Sequence, residues 1–435
     1  MIHLDQLPVE LLSLIVGNVN HKGLFNCALI NKRFYAATIP VLWRAPKADD
    51  GHSIDRLTRS LVYSLSSIRR HHPVILGHHI RQLDITARDD DALDDAGLMF
   101  IVDHAHYLED LTIHPAHRIT DISIQHLSRH CTQLRKLHLY KATITHRSVH
   151  YLGQRCRQLR ELGLKACHEL LPITLLPFAE VPLEHLDLSE CRWLTVEDTA
   201  LDLAALDRLV HLELVCTRTI NTKFIEQLLP TSTATTPLPL LTYFAITGWT
   251  DISDQVMVPF ITSHPRLESL HLLKCGITDL TLDTIATHLP TTLHVLALFS
   301  CELITAPAVR RLIRACPWLV MIDLEQCKLL YDDFPELDEQ RLAMDGEDGY
   351  YVQILGYSEI TAIRRDTRGL DDIGRSQLEG ALVDSMVMVD EQPVLHASLN
   401  TTLSPKTATD SSGTKVISSS TKIQHHWHRS VDKKH

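Results

Sequence analysis

The sequence predicts an α/β repeat: a small N-terminal helical unit followed by a curved solenoid, with short parallel strands inside and helices outside. Three observations lead there. A leucine pattern returns at a near-constant period, apolar residues recur at helical spacing before it begins, and the pattern stops well short of the last residue. The 435 residues are 45% hydrophobic, enough for a sizeable core.

The repeat reads L-x-x-L-x-L-x-x-C/N. Its clearest copies are Leu159-Leu162-Leu164-Cys167, Leu183-Leu186-Leu188-Cys191, Leu267-Leu270-Leu272-Cys275, Leu293-Leu296-Leu298-Cys301 and Leu319-Ile322-Leu324-Cys327. Looser copies start at Ile80, Leu108, Leu134, Leu209 and Leu241, so about ten repeats follow one another at intervals of 24 to 32 residues. The last two leucines of each copy alternate with other residues and point inward from a short strand. Cys at the final position offers a small apolar body and a weak S–H donor to backbone carbonyls freed at the turn that follows. Between strands, Ile119–Leu127 and Ile277–Ile285 carry apolar residues three to four apart, with Thr or Asp placed to cap a helix. No single copy buries its own apolar face, so stacking must close the core. These residues resemble the cysteine-containing class of leucine-rich repeats over 80–335. The resemblance specifies a fold and leaves the target open.

Residues 1–46 form the preceding unit. Leu4, Leu7, Pro8, Leu11 and Leu12, then Leu24, Phe25, Ala28, Leu29, Ile30 and Phe34, and finally Pro40-Val41-Leu42-Trp43-Arg44 give three short apolar bursts at helical spacing. Pro8 suits the first turn of a helix, where its missing N–H is no loss. A unit of about forty residues sits near the lower size limit for independent folding and is expected to lean on a partner. With its Leu-Pro start and Leu-Trp-Arg end, the unit resembles the F-box. What the resemblance implies is docking onto the Skp adaptor of a cullin-RING ubiquitin ligase, with Leu7, Pro8, Leu11, Leu29 and Ile30 as adaptor-binding candidates. The remaining chain divides into a helical linker at 47–79 (Ile54, Leu57, Leu61, Leu65 and Ile68 at helical spacing), a capping or irregular acidic region at 336–390, and a Ser/Thr/Lys-rich tail at 391–435 whose composition suits disorder. Within the acidic region Tyr350–Leu355 reads as a capping strand.

Several function classes are set aside. The formal charge of −11 argues against a general nucleic-acid binder, which needs clustered Lys and Arg. Residues 227–250 lack charge, but Pro230, Pro237 and Pro239 break any membrane helix, and Asp5 and Glu10 do not fit a secretory leader. Ten Cys without a C-x-x-C pair fit reduced thiols in the cytoplasm or nucleus. Each repeat Cys recurs at the same buried turn, unlike the short paired spacings of zinc sites, so no metal and no cofactor is expected. Without G-x-S-x-G, H-E-x-x-H or a phosphate loop the chain reads as non-catalytic.

What remains is binding of a protein target. Residues two, four and six places after each repeat start should face away from the helices, on the concave side. Early repeats place Lys136, His138, Tyr140, Lys165, His185 and His211 there, and later ones Tyr243, Leu273, Val295, Ala297, Phe299 and Met321. Target binding is expected at the late apolar group of Leu273, Val295, Phe299 and Met321 with Tyr243, and secondarily at Lys136, Tyr140 and Lys165. The function this adds up to is substrate recognition for a Skp–cullin–F-box ligase; the alternative is a repeat scaffold that acts without ubiquitination.

Overall fold

A computed structural model describes residues 7–66, 75–86, 93–230, 236–248, 251–337 and 351–365. The chain opens with three short helices, α1 (Val9–Gly17), α2 (His21–Ile30) and α3 (Lys32–Leu42). Two asparagines cut the apolar run into these pieces. Asn20 accepts from the Gly23 N–H at 2.9 Å, and Asn31 accepts from Arg33 at 2.9 Å and Phe34 at 3.0 Å, so each short amide starts a helix by capping it. Leu12, Val16, Leu24, Phe34 and Ala37 close a small core of their own.

Trp43 and Arg44 tie this unit to the repeats. The Trp43 indole packs against the repeat core, while the Arg44 carbonyl accepts the N–H groups of Arg81 (2.9 Å) and Gln82 (3.0 Å). In the next repeat the Arg81 carbonyl does the same for Glu109 and Asp110, so Arg44 supplies the first rung of the ladder. The helix expected from the linker spacing is α4 (Gly51–Ser66). Its Ile54, Leu57 and Leu61 lie in one core with Leu83, which makes α4 the first outer helix of the array. The side chain of Leu65 and all of Ile68 lie outside the described residues.

Among the described residues eleven strands follow in sequence order as one sheet: β1 (Gln82–Thr86), β2 (Asp110–His114), β3 (Lys136–Leu139), β4 (Glu161–Gly163), β5 (His185–Asp187), β6 (His211–Leu214), β7 (Tyr243–Thr247), β8 (Ser269–Leu273), β9 (Val295–Ala297), β10 (Met321–Asp323) and β11 (Ile354–Leu355). The first ten are parallel and β11 is antiparallel to β10. One register line runs from Leu83 through Leu111, Leu137 and Leu162, on through Phe244 and Leu270, to Ile322. All of these side chains are buried, and each contributes roughly 2 kcal/mol of apolar transfer. The partner layer comprises α5 (Asp95–Val102), α6 (Asp121–His130), α7 (His146–Arg155), α8 (Thr199–Ala204), α9 (Thr222–Glu226), α10 (Asp254–Ser263), α11 (Asp279–His288) and α12 (Ala306–Ala315). Between α7 and α8 a 3-10 segment, Pro172–Phe178, stands in for a helix, because Pro172 and Pro177 remove two donors. Gly153 on α7 permits that approach: a Cβ there would sit 2.6 Å from the Pro177 carbonyl oxygen.

Two polar ladders hold neighbouring repeats in phase. Asp121 at the start of α6 accepts from the Thr145 N–H (2.8 Å) and hydroxyl (2.6 Å) ahead of α7, and also from Ser148. Asp95 to Thr120, Asp254 to Thr278 and Asp279 to Thr305 repeat the arrangement. The carboxylate also suits the positive end of its own helix. The second ladder is made of thiols, and here the structure corrects the sequence expectation. The chief acceptors lie one repeat earlier: Cys191 Sγ donates to the Leu164 carbonyl and Cys301 Sγ to that of Leu272, both at 3.1 Å. Parallel stacking places the previous strand's end directly beneath the thiols of Cys191, Cys301 and Cys327, closer than their own turn, whereas Cys275 Sγ donates to the Leu273 carbonyl of its own turn at 3.5 Å. That turn uses a left-handed residue at Lys141, Ala166, Glu190, Cys216, Lys274, Ser300 and Gln326, with φ between 55° and 63°.

The far end of the array is covered by β11 and α13 (Tyr357–Arg365). Ile360 and Ile363 join the core, and Arg364 donates to the carbonyls of Ile313 (3.0 Å), Leu319 (2.9 Å) and Cys316 at the end of α12. A cation there satisfies carbonyls that a helix end leaves open. Residues 338–350, the rest of the acidic region and the tail 391–435 lie outside the described residues.

Candidate binding surfaces

The first surface belongs to the helical unit. Leu12 and Val16 of α1 point into the small core, yet Leu11, Leu14 and Ile15 stand on the other side of the same helix in solvent. On α2, Leu24 is buried while Phe25, Leu29 and Ile30 are outside; Leu14 is 68% exposed and Leu29 71%. A helix apolar on both faces is one that is buried on both faces when complete. Of the sequence-predicted adaptor residues, Leu11, Leu29, Ile30 and Pro8 are exposed here. Leu7 differs: it is half-buried, packs on the small core, and its carbonyl accepts from Arg33 Nη2 at 2.7 Å. Phe25, Leu14 and Ile15 were not among the adaptor candidates read from the sequence, although their i, i+3, i+4 offsets from Leu11 and Leu29 mark the same faces.

The second surface is the sheet face opposite the helices. In the early repeats the expected basic stretch is electrically balanced. Lys136 Nζ lies 2.9 Å from Glu161, its register partner in the next repeat, and Lys165 Nζ lies 3.3 Å from Glu190 just past the strands. Lys165 also lies 5.8 Å from the Tyr140 ring centre, and Tyr140 stacks on His114 at 4.2 Å. His138 is pushed down to about 4, by burial first and then by Lys136. Gly163 beside it leaves room for the imidazole, since a Cβ would come within 3.0 Å of the His138 ring.

A run of stacked rings crosses the middle repeats. His185 and His211 lie 5.2 Å apart, His211 and Tyr243 3.7 Å, and Tyr243 and His271 4.9 Å. Strand register produces it, as all but His271 occupy the first outward position of consecutive strands. Beneath the rings, Glu213 Oε1 is 2.7 Å from His211 Nε2. Burial works to raise the Glu213 pKa, but the His211 hydrogen bond and charge together hold it low. Asp187 is driven up, by burial first and then by Glu213. Neither Asp187 nor Glu213 was among the sequence candidates; their place four residues after a repeat start was the available signal.

The late apolar group is real in placement and modest in exposure. Val295 and Met321 sit side by side in register, and Leu273 and Phe299 occupy the equivalent last outward position of neighbouring repeats. All four are half-buried, and Ala297 between them is buried. Tyr243 is separated from Val295 by Ser269 and belongs with the ring stack.

The buried repeat thiols are poorly placed for chemistry. Burial pushes Cys131, Cys156 and Cys167 up to about 12, which keeps them protonated and poorly nucleophilic. No helix of the described residues is long and apolar enough to cross a membrane.

The fold is a leucine-rich-repeat solenoid. Its own register establishes that. No protein-family model matches the chain, and no curated protein matches it significantly by sequence. Among solved structures it is similar to the Rad7–Elc1 complex of yeast, at 14% identity and a TM-score of 0.46, over 76% of this chain and 85% of that one. It is also similar to an internalin, InlF, of Listeria monocytogenes (18% identity, TM-score 0.39, covering 76% and 84%) and to the TLR13–ssRNA13 complex (16%, 0.36, covering 59% and 37%). Likenesses this distant carry no argument about partners.

Proposed function

We propose that this chain is the substrate-recognition subunit of a Skp–cullin–F-box ubiquitin ligase, docking the Skp adaptor through α1 and α2 and holding a protein target on the sheet face. One observation carries the reading. The apolar side chains that face solvent on α1 and α2 outnumber those in the unit's own core, which is the signature of a module completed by a partner. The Leu-Pro start and Leu-Trp-Arg end make the Skp adaptor that partner. The two cores are separate, so the helical unit can be altered without disturbing the repeats. For the target, the ring stack around Tyr243 and the apolar group around Phe299 are the two proposed contact areas, with Lys136, Tyr140 and Lys165 at the margin. Ten free thiols fit a reducing compartment, the cytoplasm or nucleus.

The test is co-purification of the tagged full chain from cell extract. Adaptor and cullin together are the expected result, lost in Leu29→Asp/Ile30→Asp. Adaptor without cullin supports a scaffold that does not direct ubiquitination. Absence of both from the wild-type eluate overturns the proposal. Leu29 and Ile30 are cleaner positions than Leu7, because Asp at Leu7 would also strike the small core.

A further inference from the structure

The geometry points to a binding site for a divalent transition-metal ion of the zinc class, formed by Asp103, His126 and His130 across the first two repeats. His126 and His130 are four residues apart on α6, so they share one face of the helix. Their ring centres are 4.3 Å apart, and His126 Nε2 is 2.6 Å from Asp103 Oδ1, in the residue that ends α5 one repeat earlier. Donor atoms of all three groups lie within 4.8 Å of one another. Metal–nitrogen and metal–oxygen bonds of about 2.0–2.2 Å require a slightly tighter cluster, which small rotations of these accessible side chains supply. His106, on the same turn as Asp103, holds its ring 5.8 Å from that of His130 and is the nearest candidate for a fourth ligand.

Two observations separate this from an ordinary surface ion pair. A His–Asp pair needs only one imidazole, yet a second is held close against the first, where two charged rings would repel. The donor set is also mixed nitrogen and oxygen, which suits zinc, nickel or copper and not calcium or magnesium. Expectations from the sequence set metal aside on the spacing of the cysteines; none of these ligands is a cysteine. A bound ion would clip the turn after α5 to α6, adding a link between neighbours in an array held together only by neighbour contacts.

The experiment is a ZnCl2 titration of the full chain after chelator treatment, followed by calorimetry. Wild type is expected to bind one equivalent, and His126→Ala/His130→Ala to weaken it at least about tenfold. Asp103→Asn should weaken it less. Because His425, His426 and His428 could also take up zinc, the triple alanine variant at those positions is the control and should keep the equivalent. All three candidate ligands are accessible, so circular dichroism of the variants should match wild type. The proposal is overturned if the equivalent survives in His126→Ala/His130→Ala, if it vanishes in the tail variant, or if wild type binds no zinc more tightly than about 100 µM.

Discussion

The helical unit and the repeat array use the same leucines in opposite ways. In the array every leucine of the register line is buried, and outward positions are filled by ion pairs, stacked rings or half-covered apolar groups. In the helical unit five buried residues support a surface where Leu14, Phe25, Leu29 and Ile30 stand in water. The difference teaches where stability comes from. The array is closed by its own neighbours and by caps at both ends; among the described residues the helical unit leaves one apolar face of α1 and α2 open.

Substitutions can break or sharpen that contrast. The largest effect is expected inside the array: Leu270→Ala, on the register line, should cost about 3–4 kcal/mol of unfolding free energy in a urea titration, since the stacked repeats cannot collapse onto the gap. A cost below about 1 kcal/mol would mean the array is looser than its register suggests. Leu29→Asp/Ile30→Asp should show the reverse. Its midpoint should stay within about 0.5 kcal/mol of wild type while adaptor affinity falls about a hundredfold. Equal losses in both measurements would make the exposed face part of the fold. For the thiol ladder, Cys301→Ser should cost on the order of 1–3 kcal/mol, because a hydroxyl is shorter than a thiol and dearer to bury.

Asp187 gives a smaller, pH-dependent effect. Its folded-state pKa is raised by burial and by Glu213, so its contribution to stability is full below the unfolded carboxylate range and is lost as pH rises through the folded value. Asp187→Asn should therefore gain on wild type between pH 5 and pH 8, by about 1 kcal/mol. A constant difference across that range would remove Asp187 as the titrating group. Smallest is Gln326→Gly, which relieves a left-handed residue at φ 61° and should stabilise by a few tenths to about 1 kcal/mol.

Much of this was legible in the sequence. The leucine spacing gave the strands, their direction and their register, because a period-two alternation fixes which side chains face the core. The capping strand was visible as Tyr350–Leu355, and β11 occupies Ile354–Leu355. Interactions between repeats were harder to read. Nothing local to Lys136 announces Glu161, or local to Asp121 announces Thr145; each pairing appears only once strands are set in register. The ring stack was half visible: His185, His211 and Tyr243 were placed on the right face, but not recognised as one continuous row with His271. On α1 and α2 the apolar residues were seen, while their division into inner and outer faces needed the packing of α3.

The reversed direction of β11 has a bearing on assembly. A parallel strand presents to the next strand the same hydrogen-bonding pattern that it received, so an uncapped array could take on the first strand of another copy and grow into a filament. β11 runs the other way and is two residues long, leaving an outer edge with antiparallel spacing and almost no length. At the opposite end, the Arg44 carbonyl already occupies the acceptor position that an incoming strand would need. Among the described residues the sheet thus has a last member at each end that does not offer the next strand the pattern shared by the others.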